Sequence, residues 1–265
     1  MSETSNPEVR LERRRDALWV WINRPARRNA ITAAVLAGIE SAVQSSADDP
    51  GLRAIVLTGT GDKAFCAGAD LTEGTAAFQP RLQHSTTDFG RLARVVRACG
   101  IPIIARVNGA CVAGGMGLLA MCDLGVAADH ARFGLPEVKV GVFPMQVLVF
   151  LRAMMHARHI NELCLTGELI GAARAAEMGL VNEIVPLTDL DARVDALVER
   201  VRAGSPSAIR RGKQVLARMQ MMRFEQALAF AEAQIALAAS STDAEEGLRA
   251  FNEKRQPRWL KPPDE

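Results

Sequence analysis

The stretch that organises this sequence is Asn-Gly-Ala-Cys-Val-Ala-Gly-Gly-Met-Gly at residues 108–117. It directly follows the run Pro-Ile-Ile-Ala-Arg-Val at 102–107, which is typical of a buried β-strand. Glycine and alanine carry little or no side chain, so the backbone of such a turn can approach a ligand closely. Its N–H groups are also free where a helix begins. We interpret 108–117 as a strand-to-helix turn that can bind a ligand through its backbone.

A second turn has the same design. The run 54–59 predicts a buried strand, and Phe-Cys-Ala-Gly-Ala-Asp-Leu follows it at 65–71. Two such turns that meet at one point would form an oxyanion hole, in which paired backbone N–H groups stabilise negative charge on a carbonyl oxygen. Turns of small residues after strands also occur for reasons of packing alone. The pattern by itself therefore leaves both interpretations open.

Strands and helices alternate up to about residue 186, and helices alone follow. Thr32 is positioned to cap the first helix, Gly204 ends a helix near the C-terminal part, and Ser205 caps the next one. Thr242 is predicted to open a capping box for a last helix that runs through Phe251. The strands are predicted at 18–22, 54–59, 102–109, 124–129 and 180–186. This order predicts an α/β core with a helical C-terminal region.

Composition excludes several classes of protein. Thirty-two Lys and Arg residues against 30 Asp and Glu give a formal charge of +2, and aromatic residues make up only 5% of the chain, which disfavours a nucleic-acid partner. The arginines at 10–15 are interleaved with acidic residues and indicate a solvated face. The segment 115–120 matches the dinucleotide pattern G-x-G-x-x-A, but the chain has no tyrosine to serve as the acid of a short-chain dehydrogenase.

Cysteine usage and hydropathy indicate a protein of the cytoplasm. The five cysteines include no C-x-x-C pair, so we expect reduced structural thiols and no metal site. Residues 1–15 are polar and have no apolar core that could act as a secretion signal. No apolar run approaches the roughly 20 residues that a membrane span needs, so no membrane association is expected.

Seven motifs, in order, resemble the crotonase (enoyl-CoA hydratase/isomerase) superfamily, and together they cover residues 15–260. They are Asn-Arg-Pro with Asn-Ala within 23–30, Phe-Cys-Ala-Gly-Ala-Asp-Leu at 65–71, the turn at 108–115, Cys-Asp at 122–123, Phe-Gly-Leu-Pro-Glu-Val at 133–138, Gly-Leu-Val-Asn at 179–182, and Phe-x-x-Lys-Arg-x-Pro at 251–257. A single motif would be weak support, whereas seven with this spacing are specific.

The resemblance implies an α/β fold built as a spiral of ββα units, followed by helices that trimerise. It divides the chain into a polar N-terminal segment at 1–14, a ββα spiral core with the CoA thioester site at 15–200, and a C-terminal helical trimerisation region at 201–265. Members of the family commonly assemble as a homotrimer or as a dimer of trimers. We expect one of these states here.

The resemblance also implies an acyl-CoA thioester as substrate. Its carbonyl oxygen would accept hydrogen bonds from the N–H groups of Ala69 and Gly114, and Glu137 would transfer the proton. No metal or separate cofactor is expected, because coenzyme A enters as part of the substrate. Contacts with the substrate are implied for Ala67, Asp70, Leu71, Gly115, Met116, Gly117, Pro144 and Met145, and from a neighbouring subunit for Phe251 and Lys254.

The sequence departs from the family pattern at two places. Hydratases of the family typically have a glutamate where this chain has Gly117, and many members have a run of small glycines where this chain has Met-Gln-Val-Leu at 145–148. Members with a single glutamate include enoyl-CoA isomerases and some hydratases of branched or glutaconyl-type thioesters. We therefore expect a hydratase for a branched or atypical acyl group. The alternatives are a Δ3,Δ2-enoyl-CoA isomerase, a hydrolase or decarboxylase, and a non-catalytic acyl-CoA-binding or RNA-associated scaffold.

Overall fold

The computed structural model describes residues 7–72, 74 and 86–260. Its larger sheet has the strand order β1-β2-β3-β5-β7-β10, in which β1 and β2 are antiparallel and the remaining neighbours are parallel. The parallel strands are the apolar runs that the sequence predicted, at slightly different bounds. The six strands are β1 (Val9–Arg14), β2 (Ala17–Ile22), β3 (Ala54–Gly59), β5 (Ile103–Val107), β7 (Leu124–Ala128) and β10 (Glu183–Val185).

A second, smaller sheet is made of short strands that the sequence analysis did not predict. Its order is β4-β6-β8-β9, with β4, β6 and β8 parallel and β9 antiparallel to β8. These strands are only two or three residues long, too short to show an alternation of polar and apolar residues. Their bounds are β4 (Ala64–Cys66), β6 (Ala110–Val112), β8 (Arg132–Gly134) and β9 (Ile170–Gly171).

The chain contributes strands to the two sheets through a repeating unit. Three times in succession, a strand of the larger sheet is followed by a strand of the smaller sheet and then by a helix, which confirms the spiral of ββα units. The three units are β3-β4-α2, β5-β6-α3 and β7-β8-α4. The helices up to residue 177 are α1 (Ala33–Ser46), α2 (Asp88–Ala98), α3 (Gly114–Ala120), α4 (Met145–Met154), α5 (Ala157–Thr166) and α6 (Ala172–Glu177).

The larger sheet is covered on both faces, which explains its nearly continuous apolar strands. On one face, Val20, Ile55 and Ile103 pack into the main core with α1, α2 and α3. On the other face, Trp19, Val56, Ile104 and Val126 form a second cluster against Leu190, Val194 and Val198 of α7 (Leu190–Ala203). The alternation along each strand thus sends neighbouring side chains into two separate cores.

The first strand, β1, lies within the segment that was assigned to a polar N-terminus. It pairs with β2 along its whole length, so the larger sheet begins before residue 15. Its guanidinium groups cover the indole rings of β2: that of Arg14 lies 3.9 Å from the centroid of Trp19, and that of Arg10 lies 4.4 Å from the centroid of Trp21. Arginines therefore stand in β1 at positions where apolar residues would have indicated a strand, and cation–π contacts hold them against the sheet.

Helices α7 to α10 form the helical C-terminal region that was predicted. Ser205 caps α8 by accepting from the N–H of Ala208, as expected, and Gly204 ends α7. One cap was wrong: Ser241, and not Thr242, accepts from the N–H of Ala244 and begins α10, because Thr242 already has helical geometry. The last three helices are α8 (Pro206–Met219), α9 (Phe224–Ala239) and α10 (Thr242–Asn252).

Two further properties of the described residues concern membrane-spanning helices and the state of the cysteines. None of its helices combines the length and the hydropathy that crossing a membrane would require. All five cysteines are unpaired and buried.

Candidate active site

The residues predicted to act on the substrate follow three neighbouring strands of the smaller sheet. Ala69 lies three residues after β4, Gly114 two residues after β6, and Glu137 three residues after β8. These strands are parallel and adjacent in the order β4-β6-β8, so their carboxyl ends lie at the same edge of the sheet. In open α/β sheets, ligands bind at the carboxyl ends of parallel strands. The topology therefore brings the three candidate residues to one edge.

The two glycine turns are in direct contact. A Cβ atom on Gly68 would lie 2.6 Å from the Cβ atom of Ala113 and 3.3 Å from the N atom of Gly114. From the other side, a Cβ atom on Gly114 would lie 3.8 Å from the N atom of Ala69. Gly68 has a positive φ of 88°, and Ala113 has one of 51°, a region that residues with side chains seldom adopt. This close packing of backbone explains why small residues occupy both turns.

Within the described residues, the neighbouring backbone leaves the N–H groups of both candidate donors, Ala69 and Gly114, unused. Ile31 forms an isolated parallel bridge with Ala69, in which it donates to the carbonyl oxygen of Gly68 and accepts from the N–H of Asp70. The bridge leaves the N–H of Ala69 itself on the opposite side of the strand. Gly114 is the first residue of α3, where an N–H has no partner within the helix. Among the residues that the structure describes, neither N–H donates to a backbone oxygen outside the regular elements.

Two buried asparagines hold the loop that precedes β4. Asn108 accepts from the N–H of Gly59 at 3.2 Å and donates to the carbonyl oxygens of Gly61 and Ala64 at 2.7 and 3.1 Å. Asn29 also donates to the carbonyl oxygen of Ala64, at 2.7 Å. Both side chains satisfy backbone groups that would otherwise be unpaired in the interior. They belong to the motifs that carry the family resemblance, and their contacts explain how those motifs position the first glycine turn.

Asp70 is engaged by its own loop. Its carboxylate accepts from the hydroxyl and the N–H of Thr72, at 2.8 and 3.2 Å, and pairs with the Arg24 guanidinium at 2.9 Å. The Thr72 hydroxyl and the Arg24 guanidinium lower the pKa of Asp70 to about 2. Its backbone N–H is taken by Ile31. The side chain therefore fixes the loop after Ala69, and a contact of Asp70 with the substrate stays a prediction.

Glu137 has an unusual environment for a carboxylate. It lies in the 3-10 turn Pro136–Val140 and is buried, with 9% of its surface exposed. Its Oε2 atom is buried without a hydrogen-bond partner in the described part of the chain. Burial raises the pKa of Glu137 above its ordinary value. A buried carboxylate with one oxygen unpartnered costs free energy of folding, which makes Glu137 a strong candidate for a catalytic group.

Substitution of Glu137 by glutamine is expected to stabilise the fold increasingly as the pH rises. A raised pKa in the folded state means that the folded protein binds the proton more tightly than the unfolded chain. The contribution of Glu137 to stability is therefore greatest below the pKa of an exposed glutamate and is lost as the pH rises through the raised pKa. Glutamine does not ionise. We expect the thermal midpoint of Glu137→Gln to exceed that of the wild type by an amount that grows from acid to neutral pH; a constant difference across the pH range would contradict this.

The remaining predicted residues of this site are distributed between the surface and the core. Leu71 and Met145 expose more than half of their surface, at 54% and 69%. Met116 is completely buried in the main core, so its side chain fills the interior and reaches no open surface of the chain. Ala67 lies just after β4, and Pro144 precedes α4. Packing requires glycine at position 115, because a Cβ atom there would clash with the carbonyl oxygen of Cys66.

Phe251 and Lys254 are placed elsewhere in the fold. Phe251 lies on α10 with 81% of its surface exposed, and Lys254 follows the helix with a positive φ of 54°. Helix α10 packs against α8 and α9, whereas the two glycine turns lie at the edge of the smaller sheet. The approach of these two residues to a nucleotide in a neighbouring subunit stays a prediction.

Position 117 has neighbours that the motifs did not indicate. A Cβ atom on Gly117 would lie 2.6 Å from Cζ of Phe89 and 3.1 Å from Cγ2 of Val147. Phe89 lies on α2, and Val147 lies on α4. Phe89 falls outside every motif of the sequence and lies 28 positions before Gly117. The sequence therefore did not predict this contact. Position 117 is therefore lined by hydrocarbon.

Neither cysteine near the site is a nucleophile. Cys66 is completely buried, and burial raises the pKa of its thiol to about 12. Burial also raises the pKa of Cys164 to about 11, and the charge of Glu137 adds to this effect. Both remain protonated thiols at neutral pH and fill space.

Comparison with known proteins gives one consistent result. Residues 13–262 match the model of the family described as enoyl-CoA hydratase/isomerase. A crotonyl-CoA hydratase of Syntrophomonas wolfei is 32% identical over 256 residues, which cover 94% of this chain and 96% of that protein.

Solved structures agree with this match. The crystal structure of an enoyl-CoA hydratase of Mycobacterium smegmatis superimposes with a TM-score of 0.89 at 35% identity, covering 96% of this chain and 100% of that one. An enoyl-CoA hydratase of Mycobacterium tuberculosis superimposes with a TM-score of 0.86 at 34% identity, covering 95% and 98% of the two chains.

Proposed function

Because the chain belongs to the enoyl-CoA hydratase/isomerase family, we propose that it adds water to the double bond of an α,β-unsaturated acyl-CoA thioester. The observation that supports the proposal is the arrangement at one sheet edge of two N–H groups that the described backbone leaves unused and one buried carboxylate, of which one oxygen has no hydrogen-bond partner. The N–H groups of Ala69 and Gly114 suit a thioester carbonyl oxygen, and Glu137 suits the transfer of a proton. Coenzyme A would enter as part of the substrate.

The proposed reaction uses Glu137 twice. Its carboxylate takes a proton from water as the water oxygen attacks the β carbon, and the electrons of the double bond move toward the thioester oxygen. The N–H groups of Ala69 and Gly114 stabilise that oxyanion, and they are already in place before the charge develops. The carboxyl group of Glu137 then returns its proton to the α carbon, so that one water molecule has been added in all.

The environment of Glu137 supports both halves of this cycle. A carboxylate with an ordinary pKa is almost wholly ionised at neutral pH and is a poor acid. Burial raises the pKa of Glu137 toward the working pH, which is where a group that must accept and then donate a proton is most effective. The structure describes no hydrogen-bond donor that would hold Oε2 in the charged state.

An isomerase is the second candidate, and Gly117 favours it. A chain with one carboxylate has the equipment to remove a proton from one carbon and return it to another, which shifts a double bond without water. The apolar surroundings of Gly117 provide no polar side chain at the place where hydratases of the family have a further glutamate. The same oxyanion hole would stabilise the dienolate of this reaction.

A panel of CoA thioesters separates these functions. Loss of the conjugated double bond of crotonyl-CoA reports hydration, its appearance from a β,γ-unsaturated thioester reports isomerisation, and release of a free thiol reports hydrolysis. We expect hydration with a kcat/KM of about 10⁴ M⁻¹s⁻¹ or higher. Isomerisation without hydration would favour the second candidate. Binding of thioesters in calorimetry without any turnover would indicate a non-catalytic binder.

A homotrimer is also part of the proposal. The C-terminal helices expose large apolar side chains that a monomer has no reason to leave in water. Among them are Leu216, Phe224, Leu228, Ile235, Leu237, Leu248 and Phe251. Assembly through these helices would bring Phe251 and Lys254 of one copy to another copy. Light scattering coupled to size-exclusion chromatography would distinguish a trimer from a dimer of trimers.

A further inference from the structure

The two places where this chain departs from its family's sequence pattern are in contact in the structure. One is Gly117, and the other is the segment 145–148, to which Val147 belongs. A side chain at position 117 would meet Cζ of Phe89 at 2.6 Å and Cγ2 of Val147 at 3.1 Å. Contacts below 3.0 Å require an atom to move, so the volume that a residue at 117 would need is already filled. The two departures therefore form one structural feature together with Phe89.

This apolar surface, made of Phe89 and Val147, is held in place from both sides. Val147 is buried on α4, and Phe89 packs against the main core while part of its surface stays exposed. Thr87 caps α2 by accepting from the N–H of Gly90 at 3.0 Å. The amide nitrogen of Gln146 donates to the same hydroxyl at 2.5 Å, which ties the start of α4 to the start of α2. These bonds link the first turn of α2, which carries Phe89, to the start of α4, and the Phe89 ring lies beside Gly117 of α3.

The surface lies where the acyl group of a bound thioester would extend. Gly117 is three residues after Gly114 on α3, so the two positions lie on the same face of the helix, one turn apart. If the N–H of Gly114 holds the thioester oxygen, the carbons next to the carbonyl group pass close to position 117. They meet hydrocarbon there. A charged or strongly polar substituent on those carbons would be buried without a partner.

We propose that Phe89 and Val147 determine the acyl specificity of the site, selecting an apolar acyl group of limited bulk over a dicarboxylic one of the glutaconyl type and, against the expectation from the sequence, over a branched one. This inference rests on the proposed function, because it assumes that the thioester oxygen is bound at Gly114. Phe89 limits the width of the pocket beside the double bond. Val147 fills the remaining space beside position 117, so a second carboxylate on the acyl group would have no partner there.

The first test measures the packing and needs no activity. We expect Gly117→Leu, whose side chain is apolar, to lower the thermal midpoint by about 5 °C or more, because the new side chain has no space. In the background of Phe89→Ala, the same substitution should lower the midpoint by less than about 2 °C, since the ring that blocks it is gone. Equal losses in both backgrounds would overturn the proposal. Phe230→Ala removes a partly buried phenylalanine of α9 and serves as the control background. In it, the substitution at position 117 should lower the thermal midpoint as much as in the wild type.

The second test measures selectivity. For the wild type, we expect kcat/KM to be at least about tenfold higher for crotonyl-CoA than for glutaconyl-CoA. We expect Phe89→Ala to raise the ratio of kcat/KM for β-methylcrotonyl-CoA over crotonyl-CoA by about tenfold, and Phe89→Leu to raise it less. Phe230→Ala should leave both ratios unchanged. Wild-type preference for glutaconyl-CoA, or unchanged ratios in both Phe89 variants, would overturn the proposal.

A binding measurement keeps the two proposals separate. Calorimetry with butyryl-CoA, isovaleryl-CoA and glutaryl-CoA reports the acyl preference without turnover. If the wild type converts no unsaturated thioester but binds butyryl-CoA more tightly than glutaryl-CoA, and Phe89→Ala tightens isovaleryl-CoA, the proposed reaction fails while the specificity inference stands. If the wild type is active but Phe89→Ala alters neither binding nor turnover preference, the specificity inference fails while the proposed reaction stands.

Discussion

Replacing Glu137 by glutamine is expected to lower kcat for hydration by about 10³-fold while leaving thioester binding nearly unchanged. Glutamine has almost the same shape and fits the same buried position, but it neither accepts nor returns a proton. Among the described residues, the nearest neighbours of position 117 are Phe89 and Val147, neither of which can transfer a proton in place of Glu137. The measurement is steady-state turnover of crotonyl-CoA, together with the dissociation constant of butyryl-CoA from calorimetry.

A neighbouring glutamate serves as the control for this variant. Glu168 is exposed and pairs with Lys139 at 2.7 Å, so its substitution changes the same functional group outside the buried site. Glu168→Gln should retain the turnover of the wild type within about twofold, as expected for a surface ion pair of small energy. If Glu137→Gln and Glu168→Gln behaved alike, Glu137 would not be the group that transfers the proton.

Substitution of Gly68 by alanine is the second large effect that we expect, with a loss of kcat of about 10²-fold. The new Cβ atom would lie 2.6 Å from the Cβ atom of Ala113 and 3.3 Å from the N atom of Gly114. It can be accommodated only if the two glycine turns move apart, which withdraws one N–H from the thioester oxygen. Glu137 is untouched, so the residual activity should keep the pH dependence of the wild type.

Gly61→Ala is a matched control because it shares the backbone cost without the clash. Gly61 has a φ of 86°, nearly the same as the 88° of Gly68, so both alanines carry a similar penalty of roughly 1–2 kcal/mol for a left-handed conformation. A Cβ atom on Gly61 would touch only Cβ of Pro25, at 3.9 Å. A much larger loss of kcat in Gly68→Ala than in Gly61→Ala would assign the effect to the contact between the turns. Equal kcat values would contradict the oxyanion-hole assignment.

Part of this fold could be predicted because its signals are local. The parallel strands of the larger sheet are continuous apolar runs, since both of their faces are buried, and Thr32, Gly204 and Ser205 mark helix ends through the hydrogen bonds of single residues. The first strand was missed because guanidinium groups over Trp19 and Trp21 take the place of apolar side chains. The short strands of the smaller sheet were missed because two or three residues carry no period.

The candidate site also has a part that the sequence could predict and a part that it could not. By itself, the sequence determined which residues are available for chemistry: two turns of small residues, one glutamate in a Pro-Glu pair, no tyrosine, and a glycine in place of a further glutamate. These are properties of residue type and spacing along the chain. The turns alone left packing as an open alternative, and it was the resemblance to the crotonase superfamily that implied the backbone donors and the single carboxylate.

Only the tertiary structure decided what surrounds those residues. It placed Ala69, Gly114 and Glu137 after three adjacent parallel strands, left Oε2 of Glu137 buried without a partner, and turned the Met116 side chain into the core. It also set Phe89 and Val147 against Gly117 across gaps of 28 and 30 positions in the sequence. Residue type and spacing carry no record of such long-range contacts, because packing depends on how distant segments of the chain meet in three dimensions.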